Sequence, residues 1–299
     1  MDLPQPVTAI GEQLEGGGEI AADPALLTDA AVFAAERQKL FLQPWVAIDH
    51  HSRQPRAGRF VRLEAPTRSL LLTCDEEGHL RALRNLCLHS GYPVCEAVEG
   101  PSQRLVCPYH GWEYTAAGRL VEPDLSHRMA PERLHLPSHP VSVQGGLIFV
   151  DLSRSAFGAT EPGDPCPAGS LPDWLAEAEV TRRMRYNTEW NWKLALNFLR
   201  SSVHLIRDDD EPDGAVDFGP LSFMLVEPHQ ATLVGVIPRT AGATDIAFAR
   251  MVAPGIRVKN GPDRLARGLR DAGNADAVAE QLPLDRDFLG WYWSLMSAA

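Results

Sequence analysis

The sequence is poor in the features that mark secreted and membrane proteins. It has only five cysteines in 299 residues, an odd number, so it does not carry the dense disulfide framework of a small extracellular domain. No stretch approaches the roughly 18 apolar residues that are needed to span a bilayer. The first residues lack the basic start and apolar core of a secretory signal peptide. We therefore expect a cytoplasmic protein that does not insert into a membrane.

Positive charge is also scarce, because 28 Lys and Arg stand against 39 Asp and Glu and the formal net charge is −11. A surface of this sign repels phosphate backbones and anionic headgroups, so we expect neither nucleic acids nor membranes as partners. The sequence also lacks a G-x-G-x-x-G turn leading into a helix, a Walker loop and a G-x-S-x-G elbow. We therefore expect that the chain has no dinucleotide site of its own.

The composition, with 44% apolar and 22% charged residues, is that of a globular protein, and turn residues along the chain predict four segments. Residues 1–43 are predicted to form an arm followed by one helix, with Thr28 as its N-cap. Residues 44–152 hold short β runs separated by turns, which is typical of a small all-β domain. Residues 153–173 contain four prolines and three glycines, which indicates a linker. Residues 174–299 place strand-like runs between helical segments and predict an α+β domain.

A Cys-x-His pair and a Cys-x-x-His pair stand in the predicted all-β domain, with 17 residues between them. In a Rieske-type [2Fe–2S] centre two thiolates ligate one iron and two neutral imidazoles ligate the other, and this motif supplies that set. Each loop gives one sulfur and one nitrogen and has to turn tightly, which glycine and proline beside each pair allow. The predicted ligands are Cys87, His89, Cys107 and His110, and the predicted turn residues are Gly91, Pro93, Pro108 and Gly111.

A zinc site with two cysteines and two histidines would use the same ligand types. Such sites usually group their cysteines and their histidines separately, whereas each loop here mixes the two. The mixed loops therefore favour the [2Fe–2S] cluster over zinc.

Residues 45–152 resemble the Rieske domain of the bacterial Rieske non-haem iron oxygenases. The matching positions are Asn85, Cys87, His89, Gly91, residues 107–112 and residues 146–150. The sequence departs from the family at Ser90, where arginine is usual, but Ser90 is not a ligand position. The resemblance implies an oxidoreductase in which the Rieske domain precedes a helix-grip-like domain of antiparallel sheet and helices.

Respiratory Rieske proteins resemble the motif as well, but they add a cysteine to each ligand loop and cross-link the loops. Here Tyr109 follows Pro108, so that disulfide does not form, and Cys95 is left as an unpaired, small apolar residue. The serine that donates to the cluster in those proteins would fall at Trp112. Fewer donors to the sulfurs imply a lower reduction potential, so the oxygenase resemblance fits better.

The oxygenase family also binds a catalytic mononuclear Fe(II) in its second domain, through two His and one carboxylate. The family's segment resembles a helix predicted here from about residue 191 to residue 206, once one residue is treated as deleted. The matching residues are Asn191, Trp192, Lys193, Asn197, Phe198 and His204. The resemblance therefore identifies His204 as the first ligand of this iron.

The other positions of that site differ from the family. Ser201 stands at the position of the acid that bridges the two metal centres, and Asp208 or Asp209 stands at the position of the second His. Asp287, or Asp285 beside it, is the late carboxylate. Because Ser201, His204 and Asp208 share one face of the predicted helix, an atypical site with Asp287 is conceivable. The other interpretation is that the iron site has been lost.

These observations predict the electron-transfer subunit of a multimeric non-haem iron oxygenase, acting as a non-catalytic partner of a catalytic alpha subunit. The alternative is a catalytic oxygenase that hydroxylates or oxidatively demethylates a small organic substrate at an atypical iron. A third possibility is a redox-sensing or structural subunit. The resemblance also implies an external ferredoxin or flavin reductase as electron donor, and assembly into homo- or hetero-trimers or hexamers.

Overall fold

The computed structural model of the chain divides into two compact units. One unit is Gln43–Glu179, and the other combines Met1–Leu42 with Val180–Ala299. The sequence boundaries at residues 43, 152 and 173 remain predictions, and most of the predicted linker lies outside the described residues. The structure describes residues 3–16, 20–42, 44–121, 134–157, 171–203, 214–257 and 264–298.

The unit Gln43–Glu179 is built from short antiparallel strands, which confirms the predicted all-β class. Its strands are β1 (Val46–His50), β2 (Arg59–Ala65), β3 (Arg68–Cys74), β4 (Leu80–Arg84), β5 (Glu99–Pro101), β6 (Leu105–Val106), β7 (Glu113–Tyr114), β8 (Pro137–His139), β9 (Val141–Gln144), β10 (Leu147–Val150) and β11 (Ala156–Phe157). They form a six-stranded sheet in the order β11-β8-β4-β3-β2-β5, a three-stranded sheet β1-β10-β9 and the ribbon β6-β7.

Strand β3 lies inside the larger sheet and separates two apolar cores. Successive side chains of a strand point to opposite faces, so Leu70 and Leu72 enter one core while Leu71 enters the other. The core that contains Leu71 also contains Cys87 and Cys107. The apolar residues of the sheet therefore support the two loops that carry the Cys and His motif.

The second unit combines an antiparallel sheet with helices, which confirms the predicted α+β class. Its helices are α1 (Gln5–Glu15), α2 (Ala25–Thr28), α3 (Ala30–Lys39), α4 (Trp192–Ser201), α5 (Arg264–Asp271), α6 (Ala275–Gln281) and α7 (Arg286–Ser297). Its strands are β12 (Glu179–Thr188), β13 (Ala215–Asp217), β14 (Ser222–Val226), β15 (Gln230–Thr240) and β16 (Ala243–Val252), in the sheet order β12-β16-β15-β14-β13. Within the described stretches, none of the helices is both long enough and apolar enough to cross a membrane.

The N-terminal residues are helical where an arm was predicted. Helices α1 and α2 lie within the supposed arm, and Val7 and Ile10 of α1 are buried in the same core as α7. Gly11 packs so closely against Trp293 that an added Cβ would lie 2.5 Å from the indole ring. The arm prediction was wrong because the partner of α1 lies at the far end of the sequence.

Two helix ends also differ from the prediction. Asp29, not Thr28, is the N-cap of α3, because its carboxylate accepts a hydrogen bond from the second N–H of the helix and Thr28 ends α2. Helix α4 ends at Ser201, and Ser202 leaves helical geometry with φ −117° and ψ 34°. Two consecutive serines at this end compete for backbone hydrogen bonds, which favours termination over the longer helix that was predicted.

Candidate metal centre

Two loops carry the Cys and His motif, and their backbones follow the same path. In each loop the N–H of the cysteine donates to the C=O five residues later, with N···O distances of 2.7 Å after Cys87 and 2.8 Å after Cys107. In each loop the N–H of the glycine donates to the C=O of the cysteine at 2.9 Å. Gly91 and Gly111 both adopt a φ of +71°, a left-handed conformation that costs other residues about 1–2 kcal/mol. Both turns therefore require the glycine that the sequence supplies.

The four side chains of the motif differ in exposure according to their chemical type. The thiols of Cys87 and Cys107 are buried, 2% and 0% exposed, and both belong to the same apolar core. The imidazoles of His89 and His110 are exposed and meet edge to face, with ring centroids 4.4 Å apart. Burial raises the pKa of the Cys107 thiol, and backbone N–H groups of its own loop oppose that shift. The loops thus present a sulfur pair inside and a nitrogen pair outside.

The spacing of these ligand atoms fits a two-iron cluster better than one metal ion. The ligands of a tetrahedral zinc lie about 2.0–2.3 Å from the ion, which keeps them within roughly 4 Å of one another. Among the described residues, the only three or more His, Cys, Asp or Glu ligand atoms that all lie within 4.8 Å of one another belong to Asp75, Glu77 and His79. No three of the motif ligands therefore converge on one point. Two bridged irons need two separate pairs, which is the arrangement observed.

A buried tyrosine contacts the sulfur of Cys87, and the sequence pattern did not reveal it. The hydroxyl of Tyr114 lies 3.3 Å from the Sγ of Cys87, and it accepts a hydrogen bond from the N–H of Leu88 at 3.0 Å. Because that N–H occupies the acceptor side of the oxygen, the hydroxyl hydrogen is available to the sulfur. Burial, and then Cys87, raise the pKa of Tyr114. The available signal was the position of Tyr114, four residues after His110.

Asn85 joins the two ends of the first loop by hydrogen bonds to the backbone of Cys95. Its side-chain amide donates to the C=O of Cys95 at 2.8 Å, and its amide oxygen accepts from the N–H of Cys95 at 2.9 Å. Burial, with a smaller effect of Cys107, raises the pKa of the Cys95 thiol to about 11, so Cys95 is protonated at neutral pH. The four cysteines that the structure describes are all free thiols. The two hydrogen bonds of Asn85 therefore hold Cys95 in place at the end of the first loop.

The cluster of Asp75, Glu77 and His79, at the turn between β3 and β4, has a structural role. The carboxylate of Asp75 accepts from the guanidinium of Arg81 at 2.7 Å and from the N–H of His79 at 2.7 Å. Burial alone would raise the pKa of Asp75, but these hydrogen bonds outweigh it and hold the pKa below its ordinary value. The oxygens of Asp75 are already occupied, so a metal role for this group is not supported.

The predicted mononuclear site lies only partly within the described residues. His204, Asp208 and Asp209 fall outside them, so their ligand roles remain predictions. Ser201 is the exposed last residue of α4, and the ten residues of that helix include no carboxylate. Helix α4 ends there, and the predicted helical face shared with His204 and Asp208 lies outside the described residues and stays a prediction.

The C-terminal carboxylates lie at the start of α7. Asp285 is the N-cap of that helix, and its side chain accepts from the N–H of Phe288 at 2.8 Å. Asp287 is exposed in the first turn. The helix cap gives Asp285 a structural explanation, and the ligand role of Asp287 remains a prediction.

Residues 44–139 match the family model of the Rieske [2Fe-2S] domain. This chain carries a Rieske domain. Two relatives with matching stretches are subunits of named oxygenases. The glycine betaine monooxygenase oxygenase subunit of Chromohalobacter salexigens is 28% identical over 186 residues, which cover 59% of this chain and 40% of that protein. The biphenyl 2,3-dioxygenase subunit alpha of Rhodococcus jostii is 29% identical over 138 residues, which cover 45% of this chain and 30% of that protein.

The Rieske domain is thus related to those of oxygenase alpha subunits, while the chain spans less than half the length of either relative. A crystal structure of the quaternary ammonium Rieske monooxygenase CntA in complex with the inhibitor MMV12 superposes with a TM-score of 0.62 at 16% identity. The match covers 88% of this chain and 84% of that chain. At this level of identity the match shows a shared fold, and it supports the helix-grip-like class predicted for the second domain.

Proposed function

We propose that the Rieske domain binds its [2Fe–2S] cluster through Cys87 and Cys107 on one iron and His89 and His110 on the other. The observation that carries this assignment is the pairing of two buried thiols and two exposed imidazoles across two matched loops. Such a cluster supplies one-electron transfer when it is bound. The buried thiols keep the sulfur side from water, and the exposed imidazoles leave the nitrogen side accessible to a redox partner.

We propose further that the chain acts as the oxygenase component of a Rieske oxygenase system, hydroxylating or demethylating a small organic molecule. The relatives support this activity because their names are those of catalytic oxygenase subunits. External electrons would come from a ferredoxin or a flavin reductase, since no dinucleotide motif occurs in the sequence. His204 would be the first ligand of the catalytic iron.

The non-catalytic partner is the second candidate function, and one observation favours it. Ser201 occupies the position of the bridging acid, and no other residue of α4 supplies a carboxylate. In that case the chain would accept electrons and pass them to a separate catalytic subunit in a trimer or hexamer. A cytoplasmic location is proposed for either function.

Metal analysis and turnover of the purified holoprotein separate the two functions. The catalytic proposal expects more iron than acid-labile sulfide, together with oxygen-dependent product from a panel that contains glycine betaine, carnitine and biphenyl. His204→Ala should remove the excess iron and the product while the sulfide content stays constant. His229→Ala is the matched control, because His229 is an exposed histidine at the turn between β14 and β15.

Equal amounts of iron and sulfide, with reduction by ferredoxin but no product, would reject the catalytic function and favour the partner. A preparation without sulfide would reject both functions.

A further inference from the structure

The two ligand loops meet a second time on their exposed side, where the rings of Tyr92 and Tyr109 stack. The ring centroids lie 4.5 Å apart and the ring planes are 9° from parallel. Tyr92 belongs to the first loop and Tyr109 to the second. The side chains are 45% and 57% exposed, so the stack stands outside both apolar cores. It is a direct contact between the loops.

Each tyrosine of this stack is joined closely to a proposed ligand. The C=O of Tyr92 accepts the hydrogen bond from the N–H of Cys87 at 2.7 Å. Tyr109 immediately precedes His110 and meets its imidazole edge to face at 4.2 Å between centroids. A separation of the two tyrosines would therefore move the backbone beside a ligand in each loop.

Aromatic rings continue from this stack across the imidazole side of the loops. His110 of the second loop contacts His89 of the first, and His89 stacks on Trp112 of the second with 4.8 Å between centroids and 9° between planes. Residues 86–95 and 105–112 contain no Asp, Glu, Lys or Arg. Ion pairs between the loops are therefore excluded, and rings supply the attraction on this side.

We propose that Tyr92 and Tyr109 form an aromatic clasp that holds the two ligand loops together and slows the release of iron. The proposal rests on the ligand set proposed above. Both tyrosines are positioning residues, because they act through Cys87 and His110 and not on the metal itself. The buried end of the loop pair is held by the contact between Tyr114 and Cys87, and the clasp holds the exposed end.

Chelator-driven bleaching of the holoprotein tests the clasp. The visible absorbance is followed after EDTA is added to the wild type, Tyr92→Ala, Tyr109→Ala, the double alanine variant and Tyr92→Phe. Each single alanine variant should lose the cluster about two- to tenfold faster, which corresponds to the loss of one aromatic pair. Tyr92→Phe should bleach at the wild-type rate, because a phenyl ring still stacks. The double variant should bleach no faster than the single variants, because each of them already removes the whole stack.

Val143→Ala is the matched control, since Val143 is an exposed apolar residue of β9, 39% exposed, and its bleaching rate should equal that of the wild type. Circular dichroism of every variant establishes that the fold is retained. The clasp would be overturned by wild-type bleaching rates in both alanine variants, by additive effects in the double variant, or by faster bleaching of Tyr92→Phe. Each of these outcomes would leave the proposed ligands unaffected. A wild-type protein without iron and sulfide would overturn the ligand assignment and the clasp together.

Discussion

The hydroxyl of Tyr114 and the Sγ of Cys87 are 3.3 Å apart, although 27 positions separate the two residues in sequence. The tyrosine is fully buried. It lies in strand β7, directly after the second loop, and β7 pairs with β6, which leads into that loop. Because its oxygen accepts from the N–H of Leu88, its O–H is available to donate to the sulfur of this proposed ligand. The expectation of fewer donors than in a respiratory Rieske protein, which rests on Trp112 at the serine position, remains a prediction.

Removing this donor should lower the reduction potential of the cluster. A hydrogen bond to a ligand sulfur stabilises the reduced, more negative state, and a bond to a charged group contributes about 1.5–3 kcal/mol. For a one-electron couple we therefore expect Tyr114→Phe to lower the midpoint potential by about 60–130 mV. A redox titration followed by EPR measures the shift.

Tyr186→Phe is the matched control, because the hydroxyl of Tyr186 also donates to a sulfur, that of Met184, at 3.1 Å and lies in the other unit. Its potential should equal that of the wild type. An unchanged potential in Tyr114→Phe, with the iron content intact, would show that the hydroxyl does not donate to the ligand.

The two loop glycines should be required for metal uptake. Gly91→Ala and Gly111→Ala place a side chain at a φ of +71°, which costs about 1–2 kcal/mol, and both should reduce the iron and sulfide content after expression. Gly78→Ala carries the same kind of strain at φ +85°, with open space around the added Cβ. Elemental analysis should find a normal iron content in this control. Equal iron losses in all three variants would attribute the effect to general destabilisation.

A buried ion pair joins the N-terminal helices to the rest of their unit. Lys193 of α4 and Glu36 of α3 form a hydrogen-bonded ion pair and are both 0% exposed. The carboxylate of Glu36 also accepts from the indole N–H of Trp192 and from the hydroxyl of Tyr292, each at 2.8 Å. Burial lowers the pKa of Lys193, and the carboxylate of Glu36 opposes that shift.

Breaking this pair from one side should destabilise the protein strongly. Lys193→Met leaves the carboxylate of Glu36 buried without its cation, which typically costs about 3–5 kcal/mol. Arg200→Met breaks an ion pair with Asp217 whose side chains are 41% and 55% exposed, and it should cost about 1 kcal/mol or less. Chemical unfolding followed by circular dichroism measures both. A loss for Lys193→Met as small as that of Arg200→Met would contradict the structural role of the pair.

Stability should fall in mild acid because of His139. Burial, and then the nearby Arg68, lower the pKa of His139 from 6.5 to about 4. The folded state therefore binds fewer protons than the unfolded state between these values, so stability is fully present above pH 6.5 and is lost as the pH falls toward 4. Between pH 7.5 and 5.5 we expect a loss of about 1 kcal/mol from this residue. In His139→Gln, the free energy of unfolding should differ between the two pH values by about 1 kcal/mol less than in the wild type. An unchanged difference would show that another group causes the acid sensitivity.

The sequence predicts those parts of the fold that depend on local patterns. Strands such as β3 and β10 are bounded by turn residues, and the loop glycines mark tight turns, so both are visible without a structure. Contacts between distant residues are not visible in this way. The helix α1 was missed because residues 1–27 are rich in proline and glycine, which favours an arm. The structure shows that Gly11 is needed for close packing against Trp293 at the other end of the chain.

The same distinction between local patterns and distant contacts applies to the metal centre. The proposed ligands Cys87 and His89 follow from their type and spacing, whereas the contact of Tyr114 with Cys87 depends on the pairing of β6 with β7. The stacking of Tyr92 on Tyr109 likewise depends on how two loops approach each other.

Pulsed EPR of the chemically reduced protein tests the ligand assignment most directly. Two bridged irons held by mixed sulfur and imidazole ligands should give a paramagnetic reduced state in which two nitrogens couple strongly to the electron spin, one from His89 and one from His110. We expect both couplings in the wild type. A colourless protein that binds zinc, or a reduced centre without nitrogen coupling, would contradict the assignment.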